Sequence, residues 1–156
     1  MMHIDSMKGI TKKKPVTSLE EPELLKIPLF EKFGTKPEPV VSKGDYVKRY
    51  QLIAKASEGF SAPVHSPVSG IVEYIGSLVH VDDVEALTIV ISGDGKDTEQ
   101  PAPLKKINID SVEEILQLIE DAGIVGMGGA QFPTAMKYNR KGKKVYHYWG
   151  KNMKKE

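Results

Sequence analysis

The residues best suited to chemistry in this 156-residue chain lie in one run, Gly123-Ile124-Val125-Gly126-Met127-Gly128-Gly129-Ala130-Gln131-Phe132-Pro133-Thr134. Gly126, Gly128 and Gly129 put three glycines within four residues, so the backbone can approach a ligand with no Cβ in the way. Successive amides in such a turn can converge on an anion, as in phosphate-binding nests. Phe132 can lie against a flat ring, and Pro133-Thr134 suits the start of a following helix. The match to the dinucleotide fingerprint is poor, because no strand precedes the run and no ribose-binding acid follows it. On spacing alone two readings stand: a loop that cradles a ligand, and a flexible glycine turn that ends a helix.

The element before the loop is a helix. Val112, Ile115, Leu116 and Ile119 fall at i, i+3, i+4 and i+7, one face of an amphipathic helix. Ser111-Val112-Glu113-Glu114 is a capping-box pattern, and Gly123 stands where a C′ residue belongs. These signals predict a helix over residues 112–122.

Further upstream the period is that of strands. Leu24 to Leu29 suits an edge strand, since Pro28 cannot donate to a ladder. Val40-Val41 suits a short strand, Lys43-Gly44-Asp45 a turn, Tyr46 to Gln51 a crossing segment and Gln51 to Lys55 a strand. Val68 to Ile75 suits a turn leading into a strand, with Ile71 and Ile75 placed about Glu73. Ala86 to Ile91 suits another, ended by Ser92-Gly93-Asp94-Gly95. Short strands with turn signals at this spacing predict a small all-β barrel or sandwich.

Composition excludes several functions. Lys+Arg is 22 and Asp+Glu 21, so no global charge draws the chain to nucleic acid or to an anionic membrane. From Lys137 to Glu156 eight cations meet one acid, a pattern typical of a solvated tail, and no nucleic-acid partner is expected. Without cysteine there is no disulfide and no thiolate-bound zinc or cluster within these residues. His3, His65, His80 and His147 lack close ligand spacing, so no metal site is expected. No apolar run approaches the roughly 20 residues that span a bilayer, and the polar N-terminus has no signal core. His65 reads as a hydrogen-bonding loop residue, and Asp82, Asp83 and Glu85 as a solvated turn. Trp149 has no evident partner.

The run from Gly123 to Thr134 resembles the GIVGLGGAGFPT signature of RnfC, a component of the bacterial Rnf electron transport complex. It is also similar to the GRGGAGFPTG loop of the flavin-bearing, NADH-binding subunit of respiratory complex I. Upstream, Lys26-Ile27-Pro28-Leu29, Glu38-Pro39-Val40-Val41, Lys43-Gly44-Asp45, Tyr50-Gln51-Leu52-Ile53 and the stretch Ser61 to Gly70 resemble the RnfC barrel-sandwich hybrid domain in order. The likeness covers about residues 8–145. It implies a subunit that exchanges electrons with NADH through FMN and two 4Fe–4S clusters. Such a subunit lies in the cytoplasm, peripheral to the inner face of the membrane, beside the other subunits of the complex. Carried over by position, the likeness implies FMN contacts at Gly126, Gly128, Gly129, Ala130 and Phe132, with Lys137 toward the phosphate. No catalytic residue is implied.

Two departures stand out. Gln131 replaces the glycine of the family pattern; if that position needs positive φ or bare backbone, glutamine costs about 1 kcal/mol or more and obstructs the flavin. Past Val145 the family continues with an apolar strand and an Ala-Glu-Cys-Glu-Pro segment, whereas here Tyr146 to Glu156 shows neither. The expectation is therefore a chain cut short by a frameshift or premature stop, inactive by itself, with every cluster cysteine beyond it.

Two other classes compete. Val40 to Ile75 also resembles lipoyl or biotinyl carriers, whose modified lysine sits at a hairpin tip; Lys55 is the lysine in that interval. A non-catalytic docking module is the third. The fold expected is α+β: an extended arm (1–22), a small all-β barrel-sandwich hybrid (23–95) and a linker (96–109). A truncated start of an α/β FMN- and NADH-binding domain (110–145) and an aberrant basic tail (146–156) follow.

Overall fold

The computed structural model describes residues 8–18, 20–30, 34–80, 83–101, 110–128 and 131–139. Among these residues seven strands form two antiparallel sheets. The first has the order β1 (Leu24–Pro28), β7 (Glu85–Gly93), β6 (Gly70–Val79), β3 (Tyr46–Val47). The second has the order β2 (Glu38–Pro39), β4 (Leu52–Lys55), β5 (Val64–His65). Two helices follow, α1 (Val112–Asp121) and α2 (Thr134–Tyr138).

The long β6–β7 hairpin is the spine, paired from Gly70↔Gly93 to Val79↔Glu85. β1 adds to β7 as an edge, with Pro28 at its last position opposite Thr88. There a missing amide costs the ladder least. Leu29, Val47, Ile53, Ala54, Val68, Val72, Ile89 and Ile91 form one buried cluster drawn from both sheets. Each large apolar side chain so buried contributes about 1.5–3 kcal/mol. The strand-rich barrel-sandwich read from the sequence is the fold observed.

Several boundaries differ from expectation. The strand placed at Val40-Val41 forms at Glu38–Pro39 instead, and Val40 extends it only through its amide, which donates to Ile53 O at 2.9 Å. The crossing segment from Tyr46 begins as β3, opposite Ile71 and Gly70. β6 runs on to Val79, because β7 pairs with it over that whole length. Ile71 faces outward and Val72 inward. A bulge then resets the phase: Val72 pairs Ile91 and Tyr74 pairs Val90, leaving Glu73 as the extra residue. Ile75 consequently packs against the core although Ile71 does not.

Polar groups close one side of the barrel. Buried Ser69 donates its hydroxyl to Asp94 Oδ1 at 2.6 Å and accepts from the Thr98 amide at 3.0 Å. Asp94 also accepts from the Lys96 amide and from the Tyr46 hydroxyl. Arg49 pairs with Asp97 at 2.6 Å, and its backbone bonds Thr98 O and the Gln100 amide. The polar stretch from Lys96 is thereby held against the barrel as far as Gln100. The N-terminal arm includes a 3-10 turn at Lys8–Ile10. Residues 1–7, most of the polar linker and the tail from Arg140 onward, with Val145, His147 and Trp149, lie outside the described residues.

α1 follows its sequence signals. Ser111 accepts from the Glu114 amide at 3.3 Å, and Glu113 and Glu114 place acids in the first turn. At the other end Gly123 takes φ +66 while its amide bonds Glu120 O; the Ile124 amide bonds Ile119 O, completing a Schellman motif. The helix is amphipathic, yet none of its residues is buried, and Val112 remains 60% exposed. No helix among the described residues is long and apolar enough to cross a membrane.

Candidate functional site at the glycine loop

The loop is anchored at both ends. A Cβ on Gly123 would run into the Pro63 carbonyl, so the end of α1 sits directly on the barrel segment leading into β5. Val125 and Pro133 then form an antiparallel bridge. The Thr134 amide donates to Ile124 O at 3.0 Å, the Gly126 amide to Phe132 O at 2.9 Å and the Gln131 amide to Gly128 O at 3.1 Å. The run is a closed turn returning on itself, and Pro133 leads straight into α2 as the sequence suggests.

The predicted site residues separate by role. The Gly126 amide is committed to closing the turn, so it does not point at an external anion. Gly128 stands in open space: a Cβ there would meet nothing within 4 Å, and its φ is not positive. Met127 beside it is fully exposed. Phe132 lies against Phe60 of the barrel, with ring centroids 5.3 Å apart and planes inclined at 60°. Lys137 is on α2 with its side chain exposed. Gly129 and Ala130 fall outside the described residues. The structure thus ties Gly126 and Phe132 together and leaves Gly128 and Lys137 open to solvent.

Positive φ in this turn falls on Gln131, at +46, rather than on Gly126 or Gly128. The position where the RnfC pattern has glycine thus takes a left-handed backbone here.

Between the barrel and the loop runs a cleft of about 330 Å³, whose walls include Pro28, Phe30, Pro63, His65, Gly123 and Gln131. His65 is a strand residue on β5 rather than the loop residue expected. Burial lowers its imidazole pKa below the ordinary value and favours the neutral ring. Neither the cleft nor Phe60 emerged from sequence patterns. An aromatic following a glycine in a loop, Gly59-Phe60, was the only local signal.

Lys55 does not suit a carrier. It sits on β4 opposite Glu38, with Nζ 3.0 Å from that carboxylate, and not at a hairpin tip.

At one edge the chemistry of this surface suits an implied FMN. Open backbone at Gly128, a half-exposed Phe132 ring and an exposed Lys137 are groups that a flavin phosphate and ring would use. The strained Gln131 backbone and the committed Gly126 amide work against a closer cradle. Among the described residues no group of three or more metal-ligating side chains occurs.

Comparison with known proteins agrees with this architecture. The RnfC barrel sandwich hybrid domain matches residues 2–96. The chain is 38% identical over 145 residues to the C subunit of the ion-translocating oxidoreductase complex of Rhodobacter capsulatus, covering 91% of this chain and 28% of that protein. It is 41% identical over 138 residues to the C subunit of the proton-translocating ferredoxin:NAD(+) oxidoreductase complex of Clostridium ljungdahlii, covering 87% and 30%. It is 33% identical over 138 residues to the C subunit of the Na(+)-translocating ferredoxin:NAD(+) oxidoreductase complex of Acetobacterium woodii, covering 87% and 31%. The likeness runs well past the barrel, while the chain spans under a third of each relative's length. With the domain matched over more than half of its residues and the barrel observed, the chain belongs to the RnfC family.

Proposed function

We propose that this chain supplies the barrel and one wall of the flavin site of an RnfC subunit in an ion-translocating, ferredoxin:NAD-type electron transport complex. The observation that carries the reading is the likeness to three such subunits, continuous from the barrel to beyond its end. In this reading the barrel docks on neighbouring subunits at the inner face of the membrane. The turn after α1 begins an FMN- and NADH-binding domain and presents Gly128 backbone and Phe132 to the cofactor, with Lys137 toward its phosphate. When bound, FMN would supply the exchange between two-electron nicotinamide chemistry and one-electron transfer. The 4Fe–4S clusters would be held by cysteines outside these residues, which contain none.

Gly128 supports the flavin role. Neither its φ nor its surroundings require glycine, so its bare backbone is open to close approach by a ligand. Gln131 at positive φ favours the second reading, a docking module without flavin. Two measurements decide. Co-expressed with the remaining subunits of such a complex, in a host lacking its own RnfC, a tagged chain is expected to purify with them; recovery of the free chain alone overturns the docking role. Titration of the purified chain with FMN is expected to give saturable quenching of flavin fluorescence, and its absence overturns the cofactor role and leaves the docking module.

A further inference from the structure

The β4–β5 loop, residues 56–63, presents one aromatic ring on a backbone that is fixed on both sides. The Phe60 carbonyl accepts from the Thr35 amide at 2.9 Å. Gly34 packs so closely beneath that carbonyl that a Cβ there would overlap it. Ser57 Oγ donates to Lys36 O at 2.7 Å, and Ser61 and Ala62 are buried directly after the ring. Such anchoring would ordinarily serve a core side chain. Here Phe60 is left 45% exposed, against a Phe132 that is itself 41% exposed. Their separation lies in the favoured range for aromatic pairs, and the two tilted rings still leave much of each residue to solvent. Through Phe132, the pair is joined by a backbone hydrogen bond to Gly126, at the start of the open glycine stretch.

We propose that Phe60 is a flavin-contacting residue contributed by the barrel, forming with Phe132 an aromatic wall for a planar heteroaromatic ring. The barrel would then be part of the cofactor site as well as a docking platform. This inference rests on the FMN role proposed above. A preorganised ring loses little conformational freedom on binding, and stacking on an aromatic side chain is worth about 1–3 kcal/mol.

The test is FMN titration of the full chain by fluorescence for the wild type, Phe60→Ala, Phe60→Leu and Phe60→Trp, with a melting curve for each. Phe60→Leu keeps apolar bulk without a π-face, and Phe60→Trp keeps the face. The wild type and Phe60→Trp are expected to bind and quench alike, whereas Phe60→Leu and Phe60→Ala bind about tenfold more weakly at an unchanged melting temperature for Phe60→Leu. Wild-type binding with equal affinity in Phe60→Leu overturns the role of Phe60 and leaves the FMN reading standing. Loss of affinity in Phe60→Trp equal to that in Phe60→Leu marks a packing role and also overturns it. No binding by the wild type overturns both.

Discussion

Gln131→Gly should tighten the glycine turn. Gln131 holds φ +46 within the turn closed by the Gly126 amide on Phe132 O and the Thr134 amide on Ile124 O. A left-handed backbone costs an L-residue roughly 1–2 kcal/mol. Glycine removes that strain but loses about 0.5–1 kcal/mol more backbone entropy on ordering. The net gain is about 0.5–1 kcal/mol and is read at the turn's own amides. Native-state hydrogen exchange reads this directly: the Gly126 and Thr134 amides should exchange about two- to fivefold more slowly in the variant. Gln131→Ala is the control. It shortens the side chain yet keeps the Cβ that makes the conformation costly, so its exchange should match the wild type. Unchanged or faster exchange in Gln131→Gly would refute the strain at this position. Equal slowing in Gln131→Ala would show that the side chain, not the backbone, was responsible.

Other substitutions probe the same physics elsewhere. Gly70→Ala places a Cβ on the Ser92 carbonyl at the end of the β6–β7 hairpin and should cost about 1–3 kcal/mol in urea unfolding, whereas Gly128→Ala, in open space, should stay within about 0.5 kcal/mol. Ile89→Ala, which empties a fully buried site in the shared core, should cost about 2–5 kcal/mol; a cost below about 1 kcal/mol would mean the two sheets do not share that core. Asp94 is held below the ordinary carboxylate value by hydrogen bonds from the Ser69 hydroxyl first, then the Lys96 amide and the Tyr46 hydroxyl. A depressed folded-state pKa gives stability that is complete above the unfolded value of about 3.9 and is lost as pH falls through the folded value. Melting temperatures between about pH 5 and 2 should therefore fall less steeply in Asp94→Asn, and an identical acid limb would exclude this linkage.

What the sequence made legible was local. The Ser111 cap, the apolar period of α1 and the C′ glycine at 123 each depend on residues within a turn or two, and all three appear as read. Edge placement of β1 followed from Pro28 alone. Phase across a bulge was not legible, because Val72, Glu73 and Tyr74 carry no mark of which one lacks a partner; only the register against Val90 and Ile91 decides it. Val40-Val41 misled for a related reason. β-branched residues suit a strand, but pairing with β4 falls on the two residues before them. Phe60 was hidden most completely, since its neighbour Phe132 is distant in sequence and its exposure is a property of the assembled surface.

The glycines of the run show how far composition can go. Gly123 is required by the fold twice over, by its positive φ and by the Pro63 carbonyl against which it sits. Gly128 is required by neither, and a second left-handed position is taken by a glutamine, Gln131. Gly126 and Gly128 therefore mark where backbone is bare without marking where it is strained. Bare backbone at Gly128 is not needed by the packing around it, and it stands open to solvent. Gly123 also sets where that part lies: by seating α1 on Pro63, it brings the turn to the barrel loop that carries Phe60. The geometry of the turn is thus inseparable from the barrel beneath it.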